Sequence, residues 1–343
     1  MQQFPELAAR LPWLHLANLP TPLERATALE SAAGFGPLWV KRDDLSDDHF
    51  GGGKPRKLEL LLGEAVAQGW QRVISFGGVG SNQALATAIH GRRLGLDVVL
   101  ELGAQPPSAE VTMALRAMAR TGAELRLVPG VSDAERRALS ALKRKGREAP
   151  WVIPVGGTSP LGNLAYVDAA FELRDQIRAG VAPAPDRIFV AGGTLGTAAG
   201  LALGLRLAGL DTQLVVVRAS SAGYSNRGVL ERHVAQTWDY ARSLDPTLPE
   251  VKLDAGRIRL DGSELGAGYG RATEHGHAAL RLAQSTEHWR LENTYTAKAL
   301  AALLAQKPRG VSLLWLTQSA VTPPLSDDAG AELPASLARY LRG

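Results

Sequence analysis

Short apolar runs alternate along the chain with longer stretches in which apolar residues recur every three or four positions. Leu38-Trp39-Val40-Lys41, Val73-Ile74-Ser75-Phe76, Val98-Val99-Leu100, Leu125 to Val128, Ile188-Phe189-Val190, Leu214-Val215-Val216-Val217 and Val311 to Leu316 read as short buried strands. Leu58, Leu61, Leu62, Ala65 and Val66 fall at helical spacing, and that run stops at Gly69. Further helices are predicted from Ser81 and near 109–121, 132–146, 162–179, 225–243, 272–285 and 295–305. Apolar strands alternating with longer helices predict an α/β protein of βαβ units with parallel sheet. Two α/β lobes around a cleft are the expected architecture.

Composition narrows the chemistry. The 343 residues suit two domains. With no cysteine there is neither a disulfide, a zinc–thiolate site nor a thiol nucleophile. A net charge of +4, with both signs interspersed and aromatics scattered, gives no surface for nucleic acid. The densest basic run, Lys143-Arg144-Lys145-Gly146-Arg147, reads as a solvated helix end. The first twenty residues lack a secretory pattern and no apolar run reaches membrane-span length, so a soluble, cytoplasmic protein without a membrane partner is expected. His275-Gly276-His277 would diverge on a helix and suits a surface better than a metal; no metal is expected.

Three glycine clusters hold the candidate chemistry. Gly51-Gly52-Gly53-Lys54 precedes a helix; it lacks the spacing and the Ser/Thr of a nucleoside-triphosphate loop. Lys54 is then either a solvated loop lysine or an amine made nucleophilic by the helix dipole. Gly77-Gly78-Val79-Gly80 leads to Ser81, Asn82 and Gln83; backbone and side chains here could hold an anion, but on its own the cluster reads better with Ser81 and Asn82 as helix caps. Gly192-Gly193-Thr194-Leu195-Gly196-Thr197, again between strand and helix, suits a phosphate cradle. It is not a dinucleotide fingerprint, and the next strand ends in Arg218 rather than an acid, so NAD is disfavoured. Asp43-Asp44 and Asp47-Asp48 are paired loop carboxylates that fit charge balance near Arg42 as well as acid catalysis.

The ordered set of motifs resembles one family. Arg42-Asp43-Asp44, Gly51 to Glu59, Gly77 to Gln83, Ile153-Pro154-Val155-Gly156-Gly157-Thr158, Gly196 to Leu201, Gly268-Tyr269-Gly270 and Tyr295-Thr296-Ala297-Lys298-Ala299 follow one another over roughly residues 19–320. This pattern is similar to the pyridoxal-phosphate enzymes typified by D-cysteine desulfhydrase and 1-aminocyclopropane-1-carboxylate deaminase. The resemblance implies a tryptophan-synthase-β-like fold (fold type II) of two three-layer αβα domains with parallel sheets. It implies a larger cofactor domain from 1–50 and 165–343, a smaller one over 51–164, an active site in the cleft between them, and a homodimer. Lys54 matches the lysine that carries pyridoxal 5'-phosphate and later moves the substrate's Cα proton. Ser81 matches the active-site hydroxyl and Asn82 the amide near the cofactor's phenolic oxygen. Gly193, Thr194, Leu195, Gly196 and Thr197 match the phosphate cradle, Thr317 the hydroxyl near the pyridine nitrogen, and Tyr295 and Tyr269 the tyrosines facing a small amino-acid substrate.

Two departures stand out. Gly53 occupies the place of the family's asparagine, and Leu316-Thr317-Gln318-Ser319 replaces its His-Thr-Gly-Gly. Thr296 stands where the cyclopropane deaminases carry glutamate, which favours loss of a β-leaving group over ring opening. The expected activity is a lyase reaction on D-cysteine or a related amino acid. Ring opening of the cyclopropane substrate and a non-catalytic cofactor binder are the alternatives.

Overall fold

The computed structural model describes residues 3–130, 132, 137, 149–252, 254–323 and 333–341. Apart from residues 132 and 137, which are helical, the helix expected near 132–146 lies outside the described residues, as does the basic run at 143–147. Two compact units make up the chain. One comprises Met1–Leu11, Ala17–Lys57 and Thr158–Ala320, the other Pro12–Leu16, Leu58–Gly157 and Val321–Gly343.

The larger unit is built on a six-stranded sheet. Its strands are β1 (Leu23–Arg25), β2 (Leu38–Lys41), β7 (Arg187–Gly192), β8 (Gln213–Arg218), β9 (Ile258–Asp261) and β10 (Ser312–Trp315), in the order β1-β2-β10-β7-β8-β9. Every pairing is parallel except β1 with β2, an antiparallel edge that the sequence pattern does not predict because β1 has only three residues. Alternation along β8 sends Val215 and Val217 to one face. There they join Leu38, Val40, Phe189 and Leu314 and pack with Leu300 and Leu303 of the helix Thr296–Gln306. The helices Pro160–Arg178 and Gly196–Leu207 pack closely on one another, because Gly200 and Gly204 leave no side chain between them; a Cβ at either would overlap Asn163, Tyr166, Val167 or Ala170.

The smaller unit has four parallel strands: β3 (Arg72–Gly78), β4 (Asp97–Gly103), β5 (Glu124–Val128) and β6 (Trp151–Ile153), in the order β5-β4-β3-β6. Ile74, Phe76, Val99 and Val128 form a core on it. After an exposed first residue, β3 and β4 are buried along their whole length, as a sheet covered on both faces requires.

This grouping differs from the sequence division at 50 and 164. Gly52 N–H donates to Asp43 O (2.8 Å) and Gly53 N–H to Thr317 O (2.9 Å), so the loop before Lys54 goes with the larger unit. At the other end, Gln105 N–H donates to the Tyr340 hydroxyl (3.3 Å) and the Thr112 hydroxyl to Tyr340 O, which holds the segment after 320 to the smaller unit. No helix among the described residues is long and apolar enough to cross a membrane.

Candidate active site

Lys54 opens the helix Lys54–Ala67 directly after three buried glycines. Gly52 has φ +89°, a conformation only glycine adopts cheaply, and its Cα faces the Thr317 carbonyl and the Ser319 amide. The turn therefore presses against the end of β10, and Lys54 leaves it in a fixed direction. Burial brings the Lys54 amine down to about 8, against the opposing pull of the Glu292 carboxylate. Of the two alternatives for Lys54, burial disfavours the solvated loop lysine, and desolvation is what lowers the amine. Capture of pyridoxal phosphate by the apoprotein is expected to quicken as pH rises and to level off just above 8. Stopped-flow absorbance would check this; a plateau only above 10 would contradict it.

Lys57, one turn further on, is a second buried ammonium, lowered well below the ordinary lysine range first by burial and then by the Lys54 charge. Both causes would be relieved by an anion. The cradle for one lies beside it. Gly193 to Thr197 run from the end of β7 into the helix Gly196–Leu207, whose first N–H groups have no partner within the helix. Leu195 sits there at φ 67°, a left-handed backbone that costs a non-glycine residue roughly 1–2 kcal/mol. Strain of this kind is held by its surroundings: the Leu195 side chain is buried, and its carbonyl accepts from Ala199 N–H at 2.8 Å. A Cβ on Gly196 would overlap Asn163 Oδ1, Thr158 Oγ1 and Lys57 Nζ, so three polar groups converge on this bare Cα. Asn163 Oδ1 is buried without a hydrogen bond. Thr194 shares its hydroxyl with Thr158 at 2.6 Å, and Thr197 acts to lower the Tyr166 phenol.

The aromatic residues close the same space. Gly193 leaves room for Tyr295: a Cβ there would lie 3.0 Å from the ring and 3.2 Å from the hydroxyl. Tyr269 meets Tyr295 edge-on, with ring centroids 6.0 Å apart. The loop before Tyr269 is held by Lys298, whose ammonium donates to Leu265 O at 2.9 Å. Thr317 packs its methyl beside Gly53; a Cβ at 53 would lie 3.2 Å from it.

Glu292, which the sequence reading passes over, organises this end of the site. Its carboxylate accepts from the amides of Thr294 (2.6 Å), Tyr295 (3.0 Å) and Thr296 (2.8 Å) and so caps the helix Thr296–Gln306. The Thr296 hydroxyl also turns to Glu292, at 3.3 Å. Burial raises the Glu292 carboxyl, and those amide bonds oppose the rise. Lys57 and Glu292 were both legible as spacings: a lysine three residues after Lys54, and an acid four residues before a helix start.

The larger unit therefore brings together Lys54, Gly193–Thr197, Tyr269, Tyr295 and Thr317. Ser81 and Asn82 belong to the smaller unit. Ser81 caps the helix Asn82–Arg93, its Oγ accepting from Ala84 N–H at 3.2 Å, and Gly77 is bare where a Cβ would overlap that hydroxyl. His275 lies on the surface with Nδ1 3.0 Å from Glu264 Oε1. Asp47 accepts from the amides of His49 and Phe50, each at 2.8 Å, as a turn residue does.

Residues 14–312 match the family model described as "Pyridoxal-phosphate dependent enzyme". The chain belongs to this family. Its residues fit the cofactor: a buried amine near neutrality, a strained glycine-rich cradle and a second buried ammonium are what an aldehyde with a phosphate tail requires. It is 35% identical over 304 residues to the nocardicin C-9' epimerase of Nocardia uniformis, covering 85% of this chain and 90% of that protein. To the D-cysteine desulfhydrase of Klebsiella pneumoniae it is 33% identical, covering 86% and 88%. To a putative 1-aminocyclopropane-1-carboxylate deaminase of Pyrococcus furiosus it is 32% identical, covering 89% of each. A crystal structure of an ACC deaminase homologue superposes with a TM-score of 0.75 at 30% identity, over 92% of this chain and 94% of that one. The chain is a pyridoxal-phosphate-dependent enzyme of the deaminase and desulfhydrase group with the expected α/β fold.

Proposed function

We propose that the enzyme is a lyase that removes the Cα proton of a small amino acid and expels a β-substituent, with D-cysteine as first substrate. Water and D-cysteine would give pyruvate, ammonia and hydrogen sulfide. The observation that carries this reading is at Thr296: no carboxylate follows Tyr295, the Thr296 hydroxyl is turned to Glu292, and the Glu292 oxygens are taken by the amides of 294–296. Bound pyridoxal phosphate supplies the sink for the electron pair left at Cα. Gly193–Thr197 and Lys57 would hold its phosphate, Lys54 its aldehyde, Thr317 the pyridine nitrogen and Asn82 the phenolic oxygen. Lys54, with its amine near 8, takes the proton at Cα, since a base poised near the working pH transfers protons best. We assign Ser81 to the substrate, and Tyr295 and Tyr269 to proton relay toward the departing sulfur.

A second reading is epimerisation at Cα, supported by the 35% identity to an epimerase and by the same Lys54 and tyrosine set. The two part at the product. The purified enzyme, loaded with pyridoxal phosphate and given D-cysteine in deuterium oxide, is expected to release pyruvate and sulfide in equal amounts. Deuterium at Cα and loss of optical activity without pyruvate would replace the lyase reading with epimerisation. Oxobutanoate from the cyclopropane amino acid alone would replace it with ring opening.

A further inference from the structure

Gly53 and Tyr166 lie 113 residues apart in sequence and share one small space. Tyr166 is fully buried on the helix Pro160–Arg178. Its hydroxyl lies 3.2 Å from the Gly53 carbonyl and 3.1 Å from Asp43 Oδ2. Thr197 of the cradle also acts on the phenol, opposing the rise that burial and Asp43 cause. Lys57 Nζ lies 6.0 Å from the ring centroid, and Trp315 meets the ring edge-on with centroids 6.1 Å apart. A Cβ built on Gly53 would overlap the hydroxyl itself.

One phenol thus bonds the residue before Lys54 and the buried Asp43, and feels the last residue of the cradle. Asp43 is itself fixed by Trp315 Nε1 at 2.7 Å and by the Arg56 guanidinium at 2.9 Å. An O–H next to a buried carboxylate keeps its proton and stays a neutral donor, and burial and the Asp43 charge both push the Tyr166 phenol well above its ordinary range. Burying three such polar groups is tolerable only when each finds its partner, which makes their relative placement narrow.

We propose that Tyr166 is a positioning residue for the cofactor site: its hydroxyl sets the distance between Lys54 and the phosphate cradle, and Gly53 is the size of residue that lets it do so. The hydroxyl occupies the space that a side chain at 53 would enter. The inference rests on Lys54 being the cofactor lysine, and the experiment separates the two.

Borohydride reduction of the loaded enzyme, followed by peptide mass mapping, reports which lysine carries the cofactor; a label elsewhere than Lys54 overturns the site reading itself. With the label on Lys54, Tyr166→Phe is expected to weaken pyridoxal phosphate binding about 3- to 10-fold, one hydrogen bond's worth, and to move the pH midpoint of the cofactor's absorption band. Thermal unfolding of the apoprotein serves as the structural control. Gly53→Ala is expected to weaken binding more than Tyr166→Phe does, and the double variant to recover part of that loss, because the added methyl then meets no hydroxyl. An unmoved band midpoint and unchanged affinity in Tyr166→Phe would overturn the proposal, and so would a double variant whose loss is the sum of the two. If Gly53→Ala does not fold, the band titration of Tyr166→Phe decides alone.

Discussion

Lys54→Ala is expected to lose activity by at least about 10³-fold, since one side chain supplies both the covalent anchor and the base at Cα. The protein should still fold. Lys54 keeps some exposure, its cradle is built by other residues, and removing one of two neighbouring buried ammonium groups relieves Lys57. Weak cofactor binding through the phosphate should persist, without the absorption band of a lysine-linked cofactor. Added methylamine, a small amine that can act as an external base, should restore part of the rate. The measurement is pyruvate release per enzyme with and without the amine, alongside the absorption spectrum. Full activity in Lys54→Ala would remove the proposed mechanism.

Arg56→Met is expected to cost about 3–5 kcal/mol of stability, the usual consequence of stripping one partner from a buried ion cluster. Arg56 is 1% exposed and lies between two carboxylates, 2.9 Å from Asp43 Oδ1 and 2.8 Å from Glu172 Oε1. Burial alone would raise the Glu172 carboxyl; Arg56, and after it Lys41, overcome this and hold it at about 2. Methionine fills much of the volume but leaves Asp43 with its Thr21, Tyr166 and Trp315 donors and only the Lys41 charge, which does not hydrogen-bond to it. Urea unfolding of the two proteins in one buffer measures the difference. A loss under about 1 kcal/mol would show that the neutral donors suffice to hold the Asp43 charge.

Much of this was legible in the sequence, and the reasons are physical. Parallel strands covered on both faces are mostly apolar rather than alternating, so the centres of β3, β4, β7 and β8 stand out as runs. β1, β6 and β9 have three or four residues each, too few for any period to show. Gly193 and Gly196 drew notice as glycines, but that Gly196 is bare to admit Lys57, Thr158 and Asn163 depends on residues far away in the chain. The carboxylates at 43 and 44 read alike from the sequence. Asp44 does pair with Arg42, at 2.8 Å, as charge balance suggests, whereas Asp43 pairs with Arg56 on the next helix. Gly53 reads from the sequence as the loss of a polar group, because the Tyr166 hydroxyl that fills the space beside it comes from another element.

The Asp43 cluster also sets an order of events during synthesis. The carboxylate leaves the ribosome early, with Thr21 already made; Arg56 follows soon after, Tyr166 only midway, and Trp315, 272 residues downstream, near the end. A nascent chain commonly settles its N-terminal parts first. Here the segment carrying Lys54 has no complete resting place until the last strand of its sheet arrives, so the smaller unit, continuous from Leu58 to Gly157 over most of its length, can condense while Lys54 still waits for its surroundings.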